Sequence, residues 1–141
     1  MKRRDFITLS TAALLLPAIT PTIASAAATL DYEEGVVADR LKAGETVFVD
    51  FYASWCGTCK AQDRVIEKLR AANPAYDKAM TFVRVDWDFY ADSKLAKDLN
   101  IPRRSTLVVL KGDKELGRVV AGTSKSQIQA LMDAGLKAVG S

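Results

Sequence analysis

Histidine is absent from the chain, and cysteine occurs only twice. A closed structural zinc site needs four ligands, so a Cys-rich or Cys/His zinc site within one copy of the chain is excluded. Strong charge of either sign is also missing: 20 Lys and Arg stand against 17 Asp and Glu, a net +3. That balance offers no basic stripe of the kind that recruits nucleic acid. There is no glycine-rich phosphate loop, which removes the usual sign of a nucleotide or other small organic cofactor. The longest apolar run, residues 6–23, is broken by Pro17 and Pro21 and falls short of the roughly 20 residues a spanning helix needs. What is left is the composition of one globular domain, 141 residues long, 49% hydrophobic and 26% charged.

The first 26 residues read differently from the rest. Lys2, Arg3 and Arg4 precede the apolar run, which closes on the small triplet Ala24-Ser25-Ala26. Positive charge, apolar segment and A-x-A site, in that order, predict a cleavable export signal over residues 1–26. The paired arginines followed by Asp5-Phe6-Ile7 resemble the twin-arginine signal, with Lys2 where that pattern usually has Ser or Thr. An uncleaved anchor is the competing reading, and the two prolines and the good cleavage site speak against it. The expectation is a periplasmic protein, cut after Ala26, with no stable membrane insertion afterwards. Cleavage would remove three positive charges and one negative from the +3 total, leaving residues 27–141 nearly neutral.

Periodicity divides that remainder. Residues 31–43 carry Val36, Val37 and Leu41 at roughly helical spacing and stop at Gly44. Residues 46–52, TVFVDFY, are β-branched and aromatic, and predict a buried central strand. Val65, Ile66 and Leu69 then recur at helical spacing as far as Asn73, where Pro74 ends the helix. Residues 81–85 predict a second strand, 93–99 a short helix, and 106–111 and 115–120 two strands joined at Gly112-Asp113. Ser124 opens a last helix with Ile128, Leu131, Met132 and Leu136 on one face. The order α-β-α-β-α-β-β-α implies an α/β fold with a mixed sheet of four or five strands covered by helices.

The two cysteines sit on this map as ASWCGTCK, residues 53–60. They allow three readings: a working dithiol, half of a metal site, or a staple. Cys56 follows the first strand directly, and Cys59 lies in the first turn of the next helix. A helix start presents unpaired N–H groups and the positive end of the dipole, which favour thiolate over thiol. Cys56 is therefore the candidate nucleophile, expected on an exposed lip, and Cys59 the more buried resolving thiol. Two thiolates could also hold Cu(I), which makes a copper carrier or a module for metallocofactor assembly the alternative; a dimer bridged by a metal or cluster is a third. A staple is the weakest reading, because so short a loop restrains little chain entropy.

VDFYASWCGTCK resembles the thioredoxin active-site segment, and residues 27–141 follow that family's element order to the closing helix GTSKSQIQALMDAGL. A C-x-x-C set between strand and helix and preceded by Trp is far more specific than the bare motif. The YASWC and DLNI segments, with the export signal, also resemble the C-terminal thioredoxin-like domain of the DsbD-type transmembrane electron transporter. The resemblance implies a thiol–disulfide oxidoreductase with no cofactor beyond the Cys56–Cys59 pair. It would act on disulfide-containing client proteins and be recharged by a membrane electron donor. Asp50 matches the family's buried acid, which assists proton transfer at the resolving cysteine. Trp55 matches its active-site tryptophan, and Arg84 stands where a lysine often lies near the acid and would hold Asp50 ionised, unless it is an ordinary strand charge.

Two departures stand out. The dipeptide between the cysteines is Gly57-Thr58 where the family commonly has Gly-Pro, which should move the redox potential. The position of the family's cis-proline falls on Ser105, three residues after Pro102, so that a trans Arg104–Ser105 bond is expected. That change puts the loop backbone that pairs with clients in doubt; the Ser105 hydroxyl could donate instead to a bound sulfur or a loop carbonyl. Trp55, Gly57, Thr58, Arg104 and Ser105 make up the candidate substrate-binding set. Arg103 and Arg104 are read either as a solvated face or as a border of the dithiol that lowers its pKa. Of Trp87, Phe89 and Tyr90, part is expected in the core and part free to dock a partner.

Overall fold

The computed structural model describes residues 28–139. The expected export signal and its cleavage point lie outside the described residues. Among the described residues five strands and six helices follow in order: β1 (Leu30–Asp31), α1 (Val36–Lys42), β2 (Thr46–Tyr52), α2 (Gly57–Ala72), α3 (Ala75–Ala79), β3 (Met80–Asp86), α4 (Trp87–Tyr90), α5 (Lys94–Asp98), β4 (Thr106–Lys111), β5 (Lys114–Val120) and α6 (Lys125–Lys137). The sheet runs β1-β3-β2-β4-β5, parallel from β1 to β2 and antiparallel beyond.

β2 is the middle strand because every residue from Thr46 to Phe51 is buried. Its side chains alternate between two cores. On one side Phe48, with Phe82 and Val109, packs under Ile66 and Leu69 of α2, Tyr76 of α3, and Ile128, Leu131 and Met132 of α6. On the other, Val47, Val49 and Phe51 join Val83, Val85 and Val108 beneath Val37 of α1 and Ala96 of α5. Asp50 is two residues from Phe48, so the pleat aims it at the α2 side, paired across the sheet with Arg84 and Leu107. Gly112 makes the β4–β5 turn at φ 58, a left-handed angle that glycine takes without steric cost.

The sheet has five strands; the extra one is β1. The helix expected over 31–43 begins only at Val36, because Leu30 and Asp31 pair with Val83 and Arg84 and the Tyr32 N–H donates to the Arg84 carbonyl. Pro74 does end α2, with Asn73 as its C-cap, and then caps the start of α3, a helix the sequence reading did not separate. The aromatic cluster forms α4, started by the Asp86 side chain accepting from the Asp88 N–H. Trp87 stands edge-on to Phe51 and Tyr90 edge-on to Tyr32, while Phe89 is 81% exposed.

Candidate active site

Cys56 is the N-cap of α2. Its Sγ accepts the Cys59 N–H at 3.2 Å, taking the place that an Asp or Ser oxygen fills in other caps. Strand β2 delivers the chain to this point, and the short link through Trp55 turns it into the helix. Both sulfurs are buried: Cys56 is 3% exposed and Cys59 2%. The exposed lip expected for Cys56 is thus corrected. The loop before β4 lies over it, with the Ser105 Oγ 3.2 Å from the Cys56 Sγ and 3.1 Å from the Cys59 Sγ.

Burial works against a thiolate at Cys56. It is outweighed by hydrogen bonds from the Cys59 thiol, the Ser105 hydroxyl, the Cys59 N–H and Arg104, which bring the Cys56 thiol down from 9.0 to about 7. Cys59 moves the other way, pushed up by burial and by its neighbour Cys56. One thiol is thereby prepared to attack at neutral pH, and the other keeps its proton until needed.

Asp50 is 7% exposed, and burial raises its carboxyl from 3.8 to about 8. The nearby charge of Asp63 pushes the same way, and Arg84 opposes both. Arg84 does not hold Asp50 ionised, contrary to one of the two sequence readings. Its guanidinium is 2.9 Å from Asp63 Oδ1 but 3.9 Å from Asp50 Oδ2, and it lies over the Tyr52 ring. Asp50, Asp63 and Arg84 line a cavity of about 50 Å³, large enough to admit water. Asp50 Oδ1 is buried with no protein partner among the described residues.

Trp55 is 58% exposed, as its loop position suggests. Its Nε1 donates to the Asp88 carboxylate at 3.0 and 3.2 Å, and Arg104 covers its ring at 4.3 Å from the centroid. Gly57 is exposed and Thr58 half-buried, both in the first turn of α2. Arg104 borders the dithiol as one reading had it. Arg103 instead braces the loop: its Nε donates to the Arg104 carbonyl, and its own carbonyl accepts from Thr106 Oγ1.

Ser105 departs from its expected role as a client-binding residue. Among the described residues no peptide bond is cis, so Arg104–Ser105 is trans. Ser105 is fully buried at φ 63. Its N–H donates to the Phe51 carbonyl at 2.7 Å, and its carbonyl accepts from the Ala121 N–H at 2.8 Å. Both backbone groups are spent inside the fold, and the hydroxyl faces the sulfurs. A residue the sequence reading passed over completes the arrangement: Gln62, also fully buried, donates from Nε2 to the carbonyls of Ser105 and Gly122 at 3.0 and 2.9 Å. Its signal was a polar residue in the Cys59, Ile66, Leu69 stripe of α2. Asp63 was missed too, although it follows Cys56 by two helical turns.

Among the described residues no group of three Cys, Asp or Glu side chains gathers around a metal-sized space, and no helix is long and apolar enough to cross a membrane. A family profile described as thioredoxin matches residues 22–134. Thioredoxin-1 of Saccharomyces cerevisiae is 32% identical over 101 residues, covering 72% of this chain and 87% of its own. The crystal structure of Trxlp from Edwardsiella tarda superposes with a TM-score of 0.62 at 27% identity, over 73% of this chain and 98% of the other. The oxidised thioredoxin of Plasmodium falciparum gives 0.61 at 25%, over 75% and 96%. The chain belongs to the thioredoxin family, thiol–disulfide oxidoreductases whose redox group is a cysteine pair of the protein itself.

Proposed function

We propose that this thioredoxin-family protein is exported to the periplasm and reduces disulfides of client proteins there, with Cys56 as nucleophile and Cys59 as resolving thiol. The observation that carries the direction of attack is the asymmetry of the pair at the start of α2: Cys56 caps the helix with its sulfur and titrates near 7, while burial holds the Cys59 thiol protonated. The Cys56 thiolate attacks one sulfur of a client disulfide; that S–S bond breaks, a mixed disulfide forms, and the first client sulfur leaves and takes a proton. Once Cys56 is bonded to the client, its charge no longer helps to raise Asp50, which releases its proton to water; the carboxylate then takes the proton of Cys59 through water, and the Cys59 thiolate attacks the Cys56 sulfur. The Cys56–Cys59 disulfide forms and the second client sulfur leaves and takes a proton from water; Asp50 ends protonated as it began, so that two electrons from the dithiol and two protons, one in effect from Cys59 and one from water, have passed to the client. Asp50, titrating near 8 beside a water-sized cavity, can take up and release a proton at neutral pH. Trp55, Gly57, Thr58 and Arg104 would meet the client at the rim.

The charged and apolar order of residues 1–26 supports export. Exported dithiols meet an oxidising compartment, so continued reduction needs a donor, for which a membrane-embedded electron transporter fits best. Fractionating cells that express the full chain should give a periplasmic product whose N-terminus lies near Ala27; uncut chain in the cytoplasm would end the export reading.

Cys59→Ala should stop the cycle halfway and accumulate clients bound through Cys56, visible as adducts that collapse under a reducing agent. Cys56→Ala should give none. If the Cys59→Ala protein captured nothing from an oxidised extract in which the Edwardsiella or yeast relative captures clients, the exchange mechanism would be wrong.

A further inference from the structure

Ser105 has three features that fold alone does not call for. It holds a left-handed backbone angle, φ 63, that costs any residue but glycine energy. It is fully buried, pinned by Phe51, Ala121 and Gln62. Its hydroxyl, the one polar group those contacts leave over, lies within hydrogen-bond reach of both sulfurs, at 3.2 and 3.1 Å. A hydroxyl has one proton to give and lone pairs to receive. Between a thiolate and a thiol it can donate to Cys56 and accept from Cys59 at once.

We propose that the Ser105 hydroxyl is a third catalytic group, which donates its hydrogen bond to whichever cysteine sulfur bears negative charge and so follows the charge from Cys56 to Cys59 during the reaction. This rests on the exchange mechanism above. In the resting dithiol the hydroxyl donates to the Cys56 thiolate. Once Cys56 is bonded to the client, its sulfur is no longer an anion and accepts weakly. The hydroxyl hydrogen then turns about Cβ–Oγ to the Cys59 sulfur as Cys59 gives its proton to the ionised Asp50. Ser105 ends the cycle with the proton it began with. The other charged or titratable groups acting on Cys56 are Cys59 from α2, Arg104 from the same loop and Asp50 from β2, none of which bonds both sulfurs through one atom.

The test compares Ser105→Ala with Ser105→Gly in the reduced full chain. Both lose the hydroxyl, but glycine accepts the left-handed backbone and alanine does not, so their stabilities should differ while their thiol chemistry should agree. The pH midpoint for alkylation of Cys56 by iodoacetamide, followed by peptide mapping, should rise by about one pH unit in both, a roughly tenfold smaller thiolate share at neutral pH. Above both midpoints the reduction potential should fall by about 30 mV, the same tenfold factor for a two-electron couple, because the reduced form has lost stabilisation. Loading Cys56 with 5-thio-2-nitrobenzoate and timing its release by Cys59 should show about tenfold slower resolution in both variants. An unmoved Cys56 midpoint in both, or a change confined to the strained alanine variant, would overturn the assignment and leave Ser105 a packing residue. The alkylation and potential readings use no client, so they stand or fall separately from capture by Cys59→Ala.

Discussion

At neutral pH, Asp50→Asn should resist unfolding by about 4 kcal/mol more than the parent and yet resolve mixed disulfides on the order of a hundredfold more slowly. The stability gain follows from where the proton sits. In the unfolded chain the carboxyl has its ordinary value of 3.8; in the fold, burial and then Asp63 lift it to about 8. The folded state therefore binds the proton more tightly. The stability attached to that proton is complete below about pH 4 and is lost as pH climbs through about 8. From 3.8 up to neutral pH, at 1.36 kcal/mol per pH unit, the loss is about 4 kcal/mol. Asparagine keeps the shape without the charge and removes this slope. Urea titrations across the range should show the parent weakening with pH and the variant level; parallel curves would mean that Asp50 is not held protonated. The slower second step follows from the missing carboxylate, which in the parent forms when Asp50 gives up its proton and then takes that of Cys59. First attack by Cys56 should be nearly unaffected, so the variant should accumulate mixed disulfide.

Gln62→Ala should cost about 3 kcal/mol of stability, a large effect for one neutral side chain. Its amide ties the loop before β4 to the loop after β5 by donating to Ser105 and Gly122. Ser105 keeps a second donor in the Ala121 N–H, but the Gly122 carbonyl loses this bond. The half-buried Gly122 carbonyl stripped of its donor costs about 1 kcal/mol, and the space emptied by a fully buried side chain adds to it. The same cut frees the Ser105 loop, so the Cys56 alkylation midpoint should rise as well. Chemical denaturation beside alkylation measures both. A destabilised protein with an unchanged Cys56 midpoint would show that Gln62 supports the fold without holding the hydroxyl in place.

The central strands were legible because β2, Asp50 apart, and β4 are rich in β-branched and other apolar residues, and α2 and α6 because their apolar positions recur every three or four residues. β1 was not, since two residues carry no period and its pairing with β3 comes from tertiary contact alone. α3 and α4 are a single turn each, set off by Pro74 and by the Asp86 cap. At the site, Cys56, Cys59, Asp50 and Trp55 could be read from one contiguous segment. Arg84 was visible as a charge, but its choice of Asp63 over Asp50 depends on angstroms that only the sheet register and the tilt of α2 decide. The burial of Cys56 was unreadable because the loop that covers it lies 49 positions away along the chain.

Arg104 touches the two ends of one event. It is one of the groups that bring the Cys56 thiol down, and it lies 4.3 Å over the Trp55 ring, whose Nε1 is held by Asp88. When Cys56 passes from thiolate to disulfide, the guanidinium loses its anion and its hold on the indole face must readjust. Trp87, packed edge-on against Phe51, has no such link and supplies a constant background. The molecule therefore carries its own optical gauge: the emission of a single exposed indole reports, without any added label, whether the protein is charged with electrons or spent.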